Sequence, residues 1–264
     1  KNIIKTGQNI SQVDQIDKKI KLSFKNNETA ECDYLIIADG VFSKSKSLVL
    51  DNQVNPKYNN TIAIRGTLDK LPNYINENNI SIFLDKNFHH VLYPINLKRD
   101  LNFIAVMKYK LSIEEQNDFS IFSQKSFIQK VLKDIPMNTK NIIENLNEMK
   151  IFPIFVSKNF FRLKNNNIHL IGDAFFAFPP SFAQGASQSI EGAHELFRNI
   201  EKNNEINFFD TRVRKIKMVN NRSKLNQFAF HASNPITVFF RNILLKRLIK
   251  NEKFLEKYLG KIYR

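Results

Sequence analysis

Three groups of residues lying close together in the chain have types and spacing suited to holding a polar ligand. Gly172-Asp173 follows the apolar pair Leu170-Ile171, Pro179-Pro180 makes a turn, and Gln184-Gly185-Ala186 opens a segment of helical spacing. A carboxylate at the end of a buried strand can bind a hydroxyl-rich ligand. A glycine at the mouth of a helix admits a ligand to the free N–H groups of the first turn, which favour electron-rich atoms. Presenting these groups takes a strand ending near Ile171, a loop through the two prolines, and a helix carrying Ala186, Ile190, Ala193, Leu196 and Phe197. Together they form a cradle for something polar, extended and partly anionic.

A second group lies far upstream. Asp33-Tyr34-Leu35-Ile36-Ile37-Ala38 is a short apolar run that ends at Asp39-Gly40, the pattern of a buried strand emerging into a tight loop. By itself it fits a strand-terminal turn in any α/β protein.

The string 169–196 resembles the second flavin-binding motif of FAD-dependent aromatic-ring monooxygenases, the p-hydroxybenzoate hydroxylase-like family. Members read GDAAH, then a proline, then GQG before a helix. The salicylate hydroxylase-like branch shares the AQGA-x-Q-x-IE pattern found from Ala183 to Glu191. The upstream string DYLIIADGVFSKSK resembles the family's other motif, matching it at Asp33, Ala38, Asp39, Gly40 and Ser43. The resemblance implies that Asp173, after Gly172, binds the ribityl chain of FAD. It implies that backbone amides around Gln184, Gly185 and Ala186 face the flavin ring, and that Asp39 and Gly40 support the pyrophosphate and the approach of NAD(P)H. Pro179 and Pro180 would shape the flavin-facing loop, or simply start a helix. There are departures: Phe175-Phe176 replaces Ala-His, Ile37 replaces a glycine, and Lys46 stands where arginine is common. The family's G-x-G-x-x-G fingerprint for the FAD pyrophosphate is not in this sequence. It is expected upstream, so that this stretch alone binds FAD weakly or not at all and is inactive, while the full-length protein binds it stoichiometrically.

Between the two motifs the pattern turns to strands: 61–66, 81–84, 90–95 and 102–107, the last two joined by the turn-like Leu97-Lys98-Arg99-Asp100. A mostly antiparallel sheet is expected here, and the family has one that covers the substrate. His89, His90 and Tyr93 on it could serve acid–base chemistry on a phenol, or be ordinary strand and core positions. Arg65 could pair with a substrate carboxylate or sit exposed on its strand. His89 and His90 are adjacent, so they cannot both ligate one metal from a single strand face, and no metal-ligand spacing is present.

Ser112-Ile113-Glu114-Glu115 reads as a capping box, and Phe127, Ile128, Val131, Leu132 and Ile135 as a helical stripe before Pro136. A basic helix is expected over 207–230, ended by Asn234-Pro235. A further stripe follows: Ile236, Phe239, Phe240, Ile243, Leu244 and Leu248, with Arg241, Lys246, Arg247 and Lys250 beside it. A basic amphipathic helix can lie on an anionic membrane or pack on its own domain.

The sequence has 264 residues, 42% of them hydrophobic, and 24 are Phe, which is ample for a packed core. The single Cys32 excludes an internal disulfide framework and fits a reducing compartment. No apolar run approaches the ~20 residues that cross a bilayer, so a cytoplasmic protein, or one peripheral to the inner membrane, is expected. The net charge of +15 is spread along a lysine- and asparagine-rich chain without a recognisable nucleic-acid module.

The expected fold is α/β with α+β character. It comprises a partial Rossmann-like FAD-binding domain (1–55), an inserted substrate sheet (56–155), the return of the FAD-binding domain (156–200) and C-terminal helices (201–264). The expected function is NAD(P)H- and O2-dependent hydroxylation of a small aromatic substrate, which the resemblance implies runs through a flavin hydroperoxide. A ubiquinone-biosynthesis-type hydroxylase acting on a lipid-tailed phenol at a membrane surface is an alternative. So is a flavoprotein-like binding domain without turnover.

Overall fold

Alternation of Ile20, Leu22 and Phe24 with lysines and serine makes the central strand of a small antiparallel sheet. Its strands run β1 (Ile10–Ile16), β2 (Lys19–Phe24) and β3 (Thr29–Cys32), with Ile20 fully buried. The next strand, β4 (Leu35–Ile37), leads through Asp39-Gly40 into α1 (Lys44–Val49), which Ser43 caps by accepting from the Lys46 N–H. A computed structural model describes residues 4–69, 75–76, 79–95, 100–202 and 204–262. The chain divides into two compact units, one formed by 1–57 and 155–223, the other by 58–154 and 224–264.

The second unit is built on a five-stranded sheet of order β6-β7-β8-β5-β9, from β5 (Lys57–Leu68), β6 (Ser81–Asp85), β7 (Phe88–Pro94), β8 (Leu101–Lys108) and β9 (Asn147–Val156). The pairs β5/β8, β6/β7 and β7/β8 are antiparallel, as the alternation predicts. Leu97, Lys98 and Arg99 of the expected β7–β8 turn lie outside the described residues, but the Ile95 N–H reaches the Asp100 carbonyl at 2.9 Å. Three helices follow β8: α2 (Ile113–Asn117), α3 (Lys125–Lys133) and α4 (Met137–Glu144). Ser112 and Glu115 close the expected capping box, with Oγ accepting from the Glu115 N–H at 3.1 Å and Oε2 from the Ser112 N–H at 2.8 Å. Ile62, Ile64, Leu92, Leu101 and Phe103 are almost completely buried in this unit.

The chain then returns to the first unit through β10 (Ile168–Leu170), which pairs parallel with β4, and continues through α5 (Gly172–Phe176) and α6 (Gly185–Glu201). The expected basic helix is α7 (Phe208–Phe230). Asn234 ends the turn after it and caps α8 (Pro235–Leu248) by accepting from the Ile236 N–H; α9 (Glu252–Leu259) comes last. The core of the first unit joins Ile20, Leu22, Leu35, Ile37, Ile168 and Leu170 to Ala174, Phe175, Phe176 and Ile216.

Candidate functional site

The two motifs that the sequence separates by more than a hundred residues meet because β4 and β10 are neighbours. Leu35 stands opposite Ile168 and Ile37 opposite Leu170, and the Ile171 N–H extends the ladder to the Ile37 carbonyl at 3.0 Å. Both following loops therefore leave side by side from the C-terminal ends of parallel strands, where α/β sheets bind their ligands. In the first loop Gly40 takes φ +83°, a left-handed conformation that suits glycine. The Asp39 carboxylate accepts from the Ser43 hydroxyl and from the Ser45 N–H at 3.1 Å. Partial burial pushes the Asp39 pKa up, but these hydrogen bonds outweigh it and hold the carboxyl below its ordinary value. Asp39 thus braces its own loop.

Lys46 ties the loops together. Its side chain is buried and donates to the Ala174 carbonyl at 3.1 Å, so the first loop is anchored directly to α5. Burial lowers the Lys46 pKa, with Asp39 opposing the shift. In sequence this residue is only a departure from arginine; its role depends on a contact 128 positions away.

Gly172 opens α5 at φ +58°, and a Cβ there would lie 3.0 Å from Ser189 Oγ on α6. The close approach sets α5 against α6 and leaves Asp173 in the first turn of α5, exposed to solvent on its open side. Packing on its inner side, with no charged partner among the described residues, raises the Asp173 pKa above the ordinary carboxylate value. Phe175 and Phe176 turn inward. Phe176 stacks on Phe160 with ring centroids 4.1 Å apart, and Phe175 meets Phe208 and Phe209. The replacement of Ala-His is therefore part of the core.

The loop into α6 is held in an uncommon shape. Ala183 sits at φ +51°, its N–H reaches the Pro180 carbonyl at 2.9 Å, and Ser223 donates its hydroxyl to the Pro179 carbonyl. Gln184 occupies the N-cap of α6 with no side-chain cap to the first-turn N–H groups. Gly185 and Ala186 are exposed, and a Cβ on Gly185 would meet nothing within 4 Å. An uncapped helix mouth with open space stands beside a partly desolvated carboxylate that has no partner among the described residues, a donor and acceptor set that would fit the ribityl and ring end of FAD. Of the apolar stripe that suggested α6, Leu196 is buried as expected, but Ala186, Ile190, Ala193 and Phe197 point outward, with Ile190 72% exposed. The buried face is Gln188, Gly192 and Leu196. Arg212 of α7 lies under it, donating to the Gln188 carbonyl and, at 3.0 Å, to Gln188 Oε1.

The acid–base candidates on the sheet of the second unit separate by face. Arg65, Ile104 and Val91 stand in one row across β5, β8 and β7, and Thr67, Asn102 and Tyr93 in the next. With a side-chain period of two, Arg65, Asn102, Tyr93 and His89 share one face while His90 points to the other. His90 is stacked on Phe83 at 4.6 Å, and its Nδ1 lies 3.3 Å from Thr139 Oγ1 of α4. His89 is buried against the turn after α7, with its Nδ1 2.8 Å from His231 Nε2. Both candidate histidines therefore hold core positions. Arg65, Gly66, Thr67, Asn102, Asn147, Glu148, Lys150 and Phe152 line a shallow groove, and Asn102, Asn147, Glu148 and Lys150 are polar groups there that pattern reading missed.

Burial, followed by the neighbouring rings, pushes His89 down to about 3; burial, then Lys108, pushes His231 down to about 4. A contact between two ring nitrogens needs one of them free of a proton, and burial of both rings favours their neutral forms. Unfolded, each titrates near ~6.5. Their folded values are depressed, so the stability is present above ~6.5 and is lost as pH falls toward ~4, where the unfolded chain binds more protons. Thermal melting should be level near pH 7, and this pair should then cost ~4 kcal/mol of stability between pH ~6.5 and ~4.5. A His89→Gln/His231→Gln double variant should reduce that slope, leaving the part due to His90, which burial also holds down to about 4; an unchanged slope would exclude the pair as its source.

The chain matches the family described as FAD binding domain over residues 7–203, and it belongs to that family. Among its relatives, salicylate hydroxylase of Pseudomonas putida is 25% identical over 216 residues, covering 71% of this chain and 47% of that protein. The 6-hydroxynicotinate 3-monooxygenase of Bordetella bronchiseptica is 24% identical, covering 76% and 52%. The chain thus spans about half the length of the curated relatives it matches. Its fold is similar to Klebsiella pneumoniae HpxO complexed with FAD and uric acid, with TM-score 0.80 at 15% identity over 97% of this chain and 66% of the other. A salicylate hydroxylase substrate complex gives TM-score 0.69 at 18% identity over 92% and 66%. The α/β fold is therefore that of the FAD-dependent hydroxylases, as the sequence patterns predict.

Proposed function

We propose that this chain belongs to an FAD-dependent, NAD(P)H-using monooxygenase that hydroxylates a small aromatic substrate with O2. In this reading the first unit carries part of the flavin site and the sheet of the second unit carries the substrate wall. One observation carries it: the Asp39 loop, the Asp173 turn and the uncapped mouth of α6 gather at the ends of two paired parallel strands. Bound FAD would supply the reduction by NAD(P)H and the activation of oxygen. The chain's own groups bind and orient. Asp173 holds hydroxyls of the ribityl chain, and Gly185 and Ala186 present N–H groups. Gly40 shapes a loop that Asp39 and Lys46 brace, while Pro180 and Ala183 fix the approach to α6.

On the substrate side Arg65 is the group suited to an anion, because an exposed guanidinium offers two parallel N–H donors to a carboxylate. The test is NAD(P)H oxidation and oxygen uptake by the protein supplied with FAD, over a panel of phenols, with hydroxylated product identified by mass. Arg65→Ala is expected to raise KM ~10-fold for a carboxylate-bearing phenol and to leave KM for its neutral analogue unchanged. Oxidation that no phenol stimulates would overturn the enzymatic reading.

A further inference from the structure

We infer that α8 is a peripheral docking face for an anionic lipid bilayer. Among the described residues α8 has none that is buried, although it is one of the most apolar segments of the chain. Ile236, Phe240 and Ile243 recur at i, i+4 and i+7, and Phe239 and Leu244 flank them on neighbouring positions of the same side. Ile236, Phe239, Phe240 and Leu244 are each more than half exposed, at 67%, 61%, 63% and 56%. Large apolar side chains gathered in this way on a soluble surface mark an interaction site. On the other side of the helix, Arg241 donates to the Ala229 carbonyl at 3.3 Å, which fixes α8 to the end of α7 and leaves the apolar side outward.

Charge identifies the occupant. Lys246 and Arg247 close the last turn of α8, Lys250 follows, and all three are exposed. No Asp or Glu occurs between Asp210 and Glu252, whereas 25 acidic residues are distributed over the rest of the chain. A rim of cations at one end of an exposed apolar stripe suits insertion at the boundary between anionic headgroups and acyl chains. A second copy of this chain would bring the same cations and the same net charge of +15 against them. No helix among the described residues is long and apolar enough to cross a membrane, so the contact lies in the plane of the surface.

This inference does not depend on the flavin reading, because vesicle binding needs no cofactor. The test is flotation of the protein with vesicles of phosphatidylcholine alone and of phosphatidylcholine mixed with phosphatidylglycerol. Recovery with the mixed vesicles should exceed that with neutral ones by ~10-fold at low ionic strength and decline as salt is added. Phe239→Ser/Phe240→Ser, at exposed positions, should leave melting unchanged and reduce flotation ~10-fold. Lys246→Gln/Arg247→Gln/Lys250→Gln should remove the preference for the anionic vesicles. Equal recovery on both vesicle types, binding insensitive to the phenylalanine pair, or a self-association that the same pair abolishes would each overturn the proposal.

Discussion

Arg212→Ala is expected to cost about 3 kcal/mol of folding stability, a ~100-fold shift of the unfolding equilibrium, and to lower Tm by ~6–12 °C. The guanidinium is 3% exposed and engages the Gln188 carbonyl, Gln188 Oε1 and Glu195 Oε2, the last at 3.4 Å, with Glu191 at 3.9 Å. Burial lowers its pKa and the two glutamates oppose that shift. Burial likewise raises Glu195, which Arg212 counteracts. Removing the arginine leaves the Gln188 acceptors without their donor and a half-buried Glu195 without its cation. Glu191 keeps Lys215 at 2.6 Å and is 34% exposed, so the cost falls at the lower end of the range for breaking a buried pair. Arg212→Lys keeps the charge but not the two-pronged donation, and should recover roughly half of the loss. Gly192 belongs to the same arrangement, since a Cβ there would stand 3.1 Å from Arg212 Nε. Denaturant unfolding of the two variants checks this; a loss below ~1 kcal/mol in Arg212→Ala would mean that the glutamates are satisfied by solvent.

What the sequence made legible was local. Strand alternation, the Ser112 capping box and the Asn234-Pro235 break each depend on residues a few positions apart, and so do the two loop motifs. Partners that become neighbours only on folding were not legible. Lys46 reaches Ala174, His89 meets His231, and Arg212 sits beneath Gly192, each across a separation that no periodicity encodes. Helix faces were misleading for a related reason. Of the apolar residues of α6 only Leu196 is buried, while Ile190 and Phe197 are exposed and Gln188 and Gly192 are buried, because the neighbouring element offers a guanidinium there rather than an apolar surface. β9 was hidden by Pro153, which lacks an N–H for the ladder, yet β9 lies at the edge of its sheet, where a proline is tolerated. α4 likewise begins after Pro136 with no side-chain cap to announce it. Even so, the strings around Asp39 and Asp173 picked out two loops that fold side by side, since loops shaped mainly by backbone are written into glycines and turn residues near one another in sequence.

Asp173→Ala should separate the proposed cradle from the scaffold beneath it. The carboxylate opens to solvent on one side, and burial on the other raises its pKa with no partner to offset it, so the folded chain gains little from it. Its loss should leave Tm within ~2 °C of the parent, in contrast to Arg212→Ala. FAD affinity, by contrast, should fall ~10–100-fold, the worth of a charge-assisted hydrogen bond to ribityl hydroxyls. Asp173→Asn keeps an acceptor oxygen without the charge and should lose ~10-fold or less. Titration of the apoprotein with FAD, followed by flavin fluorescence, measures both variants. If Asp173→Ala binds FAD as the parent does, the ribityl chain lies elsewhere and the assignment of this turn to the cofactor fails. If it loses FAD and melts early as well, Asp173 contributes to the fold rather than to the ligand. Only the loss of flavin with an intact melt matches a carboxylate held in place for a cofactor by Gly172, Lys46 and the packing of α5 on α6.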